Sequence, residues 1–419
     1  MVPARLFSLL LIPCCLGLLG ADWLAFRGPQ QQGVAPTEKL PPLTWDGASG
    51  KNIAWKTELT GTGLSSPILV GDQVILTACT GEKQDRLHVM SYSQQDGSLQ
   101  WERSFWATGR TLCHEKTRVA APTPVSDGKH LFALYSTNDL ICLDLAGNLV
   151  WFRGLTFDYP NASNSLGMAS SLVVHGKTVI AQIENDSQSL ALGINTKNGT
   201  NRWVVERPRL ANWTSPVLMP MKDSKDALVF LQSGEKLSAY VVSSGELAWE
   251  YQGDCSTIPS AVLGEKRIFV PLGRGGRPGI IALPLPSSEA VPGDISQTAF
   301  VNEEWHQARL AASTASPLYY EGMVLTINSA GVLNCADAET GEIIWRGRVR
   351  GPYSGTPVIV SGHLFAINED GEGKVVKLSK EEGEVLETNQ LGETILCTPA
   401  VADGAIYVRS DQHLWKIAN

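Results

Sequence analysis

Residues 316–345 read SPLYYEGMVLTINSAGVLNCADAETGEIIW. The stretch divides into short β-prone runs with a turn signal after each. Residues 318–320 stop at Glu321-Gly322, residues 323–327 at Asn328 to Gly331, and residues 332–336 at Asp337. Thr340-Gly341 then leads into Ile343-Ile344-Trp345. Runs this short, punctuated by Gly and Asn, predict a four-stranded antiparallel meander rather than a helix. A single meander leaves both faces bare, so the sheet needs copies of itself.

The copies recur along the chain. A small-residue anchor opens each first strand, at Pro67, Pro124, Leu172, Pro216, Ala261, Pro317, Pro357 and Pro399. A tryptophan closes the last strand in DGSLQW to Trp101, AGNLVW to Trp151, NGTNRW to Trp203, SGELAW to Trp249 and TGEIIW to Trp345. Trp305 closes its unit without the glycine. Twelve residues separate closing tryptophan from next anchor at 55 to 67, 249 to 261, 305 to 317 and 345 to 357. Twelve back from Pro399 stands Glu387, a closing slot that has lost its tryptophan. The anchors recur about every 47 residues, within the range of propeller blades and solenoid repeats.

The ends of the array decide between a ring and an open stack. The last unit, from Thr398-Pro399 to Asn419, stops after three strands, while the first closing strand around Trp55 has no inner strands before it. Joining them closes the ring and removes the exposed sheet edges of an open array. The expected fold is all-β, an eight-bladed β-propeller closed by an N-terminal strand.

LNCADAETGEIIW resembles the repeat signature of the pyrroloquinoline-quinone-like (PQQ-like) propeller superfamily, L-x-A-x-D-x-x-T-G-x-x-x-W in its usual form. The resemblance covers roughly residues 52–419. The segment DWLAFRGPQQQGV, followed by LPPLTW and NIAWKTEL, is similar to secreted propellers of planctomycete-type bacteria. Those proteins are commonly named after the lipoprotein of the outer-membrane β-barrel assembly machine. The resemblance speaks for the fold; function must be argued from the site.

Composition agrees with an all-β chain: 43% hydrophobic, 18% charged, with 40 glycines among 419 residues for tight turns. Residues 1–21 carry a lone charge, Arg5, before an apolar stretch ending in Gly20-Ala21, the pattern of a secretory leader too short to span a bilayer comfortably. Pro13 before Cys14 argues against lipidation. Cleavage removes Arg5 and leaves 33 basic against 42 acidic residues, a net charge of −9. That balance disfavours nucleic acid, which asks for a basic footprint. The mature chain is expected to be exported to the periplasm or beyond, without an integral membrane segment, and monomeric. Residues 22–50, rich in Gly, Pro and Gln but carrying Trp23, Phe26 and Trp45, are expected to form a strap along the propeller of residues 51–419.

Six cysteines remain in the mature chain, at 79, 113, 142, 255, 335 and 397. An even number in an exported chain permits disulfides. The spacing has no metal-ligand pattern, and Cys142 and Cys335 fall in nearly equivalent third-strand slots, which favours buried thiols packing as small hydrophobes.

In a propeller the link from an outer strand to the next inner strand crosses a face and ends at the central channel. Two links exceed the usual length, from Trp101 to Pro124 and from Trp151 to Leu172. Long links are commonly functional. They supply His114, Arg118 and Asn164 as candidate ligand-binding residues, and equivalent links add Trp213, His306, Arg309 and Tyr353. A lone histidine is more often a satisfied loop residue than a ligand, so what favours these positions is their shared approach to the channel. Pro284 to Gln297, rich in Pro and Ser, reads as a surface loop.

The resemblance invites a quinone-dependent dehydrogenase, whose cofactor rests on a vicinal disulfide and a calcium ion held by carboxylate and Asn. The adjacent cysteine pair here, Cys14-Cys15, lies in the leader, and Glu115 and Asp158 stand alone in the long links. No GxSxG, HExxH or Walker loop occurs. The glycine-rich GRGGRPG at 273–279 falls between strands and reads as a turn. No catalytic or metal-ligating residue is assigned, and pyrroloquinoline quinone and calcium are not expected. The reading is a binding or scaffolding propeller that offers its channel mouth to an envelope protein or a small anionic ligand. The competing reading is a divergent alcohol or sugar oxidoreductase.

Overall fold

The computed structural model describes residues 22–163, 166–222, 224–273, 276–286 and 299–419. Among these residues the chain forms eight sheets, each built on four antiparallel strands, arranged as the blades of a β-propeller. Helix is confined to a 3-10 turn at Pro29–Gln31 and one α-helical turn at Leu155–Asp158. Blades one to seven span residues 68–106, 125–154, 173–206, 217–252, 262–307, 318–348 and 358–390. The eighth takes three strands from residues 400–417, and its outer strand is Ile53–Glu58, antiparallel to His413–Ile417. The spare strand thus closes the ring. Two features were not foreseen. Ala299–Phe300 adds a parallel fifth strand to blade four, and the second long link begins with the α-helical turn. Residues 287–298, most of the expected surface loop, lie outside the described residues, as does the leader.

The closing tryptophans hold blade to blade. Five indoles donate to a carbonyl of the next blade, Trp55 to Gln94 O, Trp101 to Leu145 O, Trp151 to Thr196 O, Trp203 to Val242 O and Trp345 to Ser379 O, at 2.9–3.1 Å; Trp305 does so to Ala338 O at 3.3 Å, and the buried Trp249 Nε1 has no partner. The ring lies on the glycine of the next blade's Gly-x-x-x-Trp stretch, for instance Trp55 on Gly97 and Trp101 on Gly147. Gly97, Gly147, Gly199, Gly245 and Gly341 have φ between 72° and 79°. The glycine therefore serves twice, allowing the left-handed turn and leaving room for the indole.

Glu387 occupies the vacated slot. It pairs with Val375, and Val375 with Phe365, the same register that joins Trp151 through Cys142 to Phe132. In three complete blades the closing indole packs on that second-strand ring: Phe132–Trp151 at 6.0 Å, Phe230–Trp249 at 5.5 Å and Phe269–Trp305 at 5.7 Å. In blade seven the partner of Phe365 is Trp45 of the N-terminal segment, stacked at 6.4 Å and 2% exposed. The chain supplies the missing aromatic from outside the repeat. The six cysteines among the described residues are free thiols, five of them buried, and Cys142 and Cys335 both pair with a closing tryptophan.

Candidate functional site

The residue before each anchor is Ser or Thr in all eight blades: Ser66, Thr123, Ser171, Ser215, Ser260, Ser316, Thr356 and Thr398. The backbone N–H of each donates to the side-chain oxygen of the next, and Thr398 N returns to Ser66 Oγ, with every distance between 2.9 and 3.1 Å. Eight hydrogen bonds thus form a closed collar at the start of the inner strands. This satisfies backbone donors that the blade ladders cannot reach. Each hydroxyl accepts one bond and, among the described residues, donates none. All eight line one pocket of about 150 Å³ on the channel axis.

Along the inner strands the order is link, collar, strap. The links bring Leu64, Lys116, Trp213, Ile258 and Leu396 to the pocket, before the collar. Beyond it, residues 22–35 cross the other side of the ring. Trp23 exchanges both backbone bonds with Leu69, at 3.0 and 2.9 Å, Leu24 O accepts from Ser126 N, and Gln31 Oε1 accepts from Leu218 N. Gly33 and Ala35 pair with Ile359. Arg27, 1% exposed, donates to Ala261 O at 3.1 Å and Pro317 O at 3.2 Å. Phe26 lines the pocket from this side. The strap floors the channel.

At the mouth the two long links pack on one another. His114 N donates to Leu166 O, and Trp213 Nε1 donates to Gly167 O at 2.8 Å. Lys116 Nζ reaches Glu369 of blade seven at 2.9 Å, and Ser354 Oγ donates to the same carboxylate at 2.7 Å. Burial raises the Glu369 pKa, but the Ser354 hydroxyl and Lys116 outweigh it and hold the group below the ordinary glutamate value.

The seven candidate residues do not all converge. Trp213 lines the channel pocket. His114 is exposed, its Nδ1 accepting from Lys116 N, and Arg118 is half-buried in the same link at φ 57°. Tyr353 is buried in the core between blades six and seven, its hydroxyl on Val349 O at 3.1 Å. His306 sits on the outermost strand of blade five, paired with Ile281, its Nε2 2.9 Å from Pro278 O. Arg309 is exposed just beyond that strand. Asn164 lies outside the described residues.

The family model described as the outer membrane protein assembly factor BamB matches residues 41–107, 104–257, 296–383 and 354–419. The chain belongs to this family. Among solved structures it is similar to BamB from Moraxella catarrhalis, with TM-score 0.57 at 15% identity over 87% of this chain and 98% of that one. It is also similar to a quinohemoprotein alcohol dehydrogenase from Comamonas testosteroni, with TM-score 0.69 at 12% identity over 94% and 80%. A europium-containing methanol dehydrogenase gives 0.65 at 12% over 94% and 90%. At these identities the likeness shows the fold alone. A search of curated proteins by sequence finds no significant match. Among the described residues of this BamB-family chain, no helix is long and apolar enough to cross a membrane.

The collar's signal in the sequence is the Ser or Thr that precedes every anchor; spacing marks it as a small residue, and only the ring brings the eight side chains together.

Proposed function

We propose that this BamB-family chain is an exported binding or scaffolding propeller of the cell envelope, taking an acidic protein segment or a small anionic ligand at the channel mouth. The observation that carries this reading is the chemistry of the pocket lining. It combines hydroxyls and the apolar surfaces of Trp213, Ile258 and Leu396 with the amine of Lys116, whose present partner Glu369, at 2.9 Å just outside the lining, an incoming carboxylate would replace. A concave, partly apolar site with a few convergent polar groups is how ligand pockets are assembled, and this one lies in a chain whose overall charge is negative. The family's description as an outer-membrane assembly factor supports both an envelope setting and a protein partner. The leader-like residues 1–21 support export.

The same lining argues against a calcium-held quinone. Calcium is bound by six to eight oxygens that include carboxylates, and neutral hydroxyls do not offset a divalent charge. Among the described residues no group of three or more His, Cys, Asp or Glu side chains could hold a metal. Two experiments test the reading. Immobilised full-length protein should capture a partner from envelope extract, and Trp213→Ala and Arg118→Ala should weaken capture while the melting temperature stays nearly constant. Unchanged capture by both folded variants would place the site elsewhere. Adding pyrroloquinoline quinone and calcium should give no dye-linked alcohol oxidation, and turnover would overturn the reading in favour of an enzyme.

A further inference from the structure

We propose that Cys79 and Cys113 form a disulfide site: oxidation by an organic disulfide joins them and staples the first long link to blade one. The site stands apart from the channel, and the export reading above enters only as the source of the oxidant.

Cys79 is 1% exposed near the end of the strand Gln73–Thr80, and Cys113 is half-buried in the long link. Both thiols meet one side chain. Cys79 Sγ donates to Gln84 Oε1 at 3.2 Å, and the Cys113 thiol is hydrogen-bonded to the Gln84 side chain as well. Two sulfurs on a single carboxamide are a short movement apart. Val119 N also donates to Gln84 Oε1, at 3.1 Å, so the far end of the same link is pinned there. Behind Cys113 stands the second long link, where a Cβ added at Gly167 would meet Cys113 Cβ at 2.7 Å. Cys113 thus has its back against a glycine, and it packs on the core cluster that contains Cys79. The chain around Cys113 is irregular rather than sheet. It can reach the Cβ–Cβ separation of about 3.5–4.5 Å that a disulfide needs without breaking a strand ladder.

The other thiols are placed differently. Cys142 and Cys335 lie in third strands of blades two and six. Cys255 donates to Gly253 O at 3.5 Å, and Cys397 to Arg409 O at 3.1 Å. Among the described residues only Cys79 and Cys113 share a hydrogen-bond partner.

Cys113 is the more accessible thiol and reacts first. Its thiolate attacks one sulfur of the oxidant, and the other oxidant sulfur leaves as a thiolate. The Cys79 thiolate then attacks the Cys113 sulfur and expels the second oxidant thiolate. Each cysteine releases one proton, and each leaving thiolate takes one up, so the protein loses two hydrogens and the oxidant gains them. Burial, with Cys79 nearby, raises the Cys113 pKa against the opposing pull of Arg118 and Gln84. Thiolate is therefore scarce at neutral pH, and the rate should climb as pH rises. The product restrains the link that carries Lys116 to the channel mouth. It also closes a long loop in the unfolded chain, so oxidised protein should melt several degrees above reduced protein.

The test uses the whole purified chain, reduced, freed of reductant and incubated with oxidised glutathione. Free thiols are then alkylated and the protein is digested without reduction. The expected result is a peptide pair bridged from Cys79 to Cys113, lighter by two hydrogens than its components and formed faster as pH rises. A glutathione adduct that persists on Cys113, a bridge from either cysteine to a third, or both thiols left free for alkylation would each overturn the proposal. Cys79→Ala should trap the glutathione adduct that wild type resolves, and Cys113→Ser should leave Cys79 unreacted. The wild-type mapping needs no variant, so it decides the matter even if both fold poorly. Alkylation in intact cells separates the site from the export reading. A pair trapped reduced there, though it closes in vitro, counts against an oxidising envelope setting and not against the site.

Discussion

At the scale of residues, the chain separates what holds the blades from what faces the channel. Trp345 docks on blade seven through Ser379 O, and Trp45 reaches across from the strap to stack on Phe365 where Glu387 cannot. Removing a large buried aromatic costs about 3–5 kcal/mol, whereas a half-exposed surface substitution stays within about 0.5 kcal/mol. Trp345→Ala and Trp45→Ala should therefore both destabilise strongly in denaturant titration, and Glu387→Ala should barely register. A mild effect of Trp45→Ala would show that its stacking adds nothing the blade does not already have. The ordinary tryptophans were legible from sequence because they recur at fixed spacing. Trp45 was legible only as a reason to expect a strap, because no local pattern ties residue 45 to a gap at 387.

At the scale of elements, the links decide where chemistry can reach. A link starts at the outer strand and ends at the axis, so a residue's distance from the next anchor sets its radius. Trp213, three before Pro216, lines the channel, while His306, eleven before Pro317, is still on the outer strand. Sequence spacing located the links but left that gradient unused, and Tyr353 turned into the core although it stands close to its anchor. The first long link is tied down by Lys116 on Glu369. With its folded pKa below the ordinary 4.5, Glu369 contributes a tether that is fully present above that value and is lost as pH falls through the folded one. Protection against hydrogen exchange in residues 107–123, relative to the intrinsic rate at each pH, should fall on acidification below about pH 4.5. Glu369→Gln should show the lower protection already at neutral pH, with that step flattened. The same acid profile in wild type and Glu369→Gln would mean another group governs the link.

At the scale of the whole molecule, the repeat count and the mismatched ends were enough to read an eight-bladed closed ring, because closure is a property of the pattern. The channel's polarity was not readable in the same way. It depends on hydroxyls brought together from eight blades and on a strap that floors one side, and neither is adjacent in sequence. The outcome is a cup with one open mouth. Ile258, 49% exposed, lines that mouth, and Gln30 lies exposed on the strap side. A photo-reactive amino acid placed at each position in turn, in full-length protein incubated with envelope extract, asks which face meets a partner. A discrete crosslinked adduct from position 258, competed away by excess unlabelled protein and absent from position 30, is the expected result. An adduct from position 30 with none from position 258 would contradict the channel mouth as the binding surface.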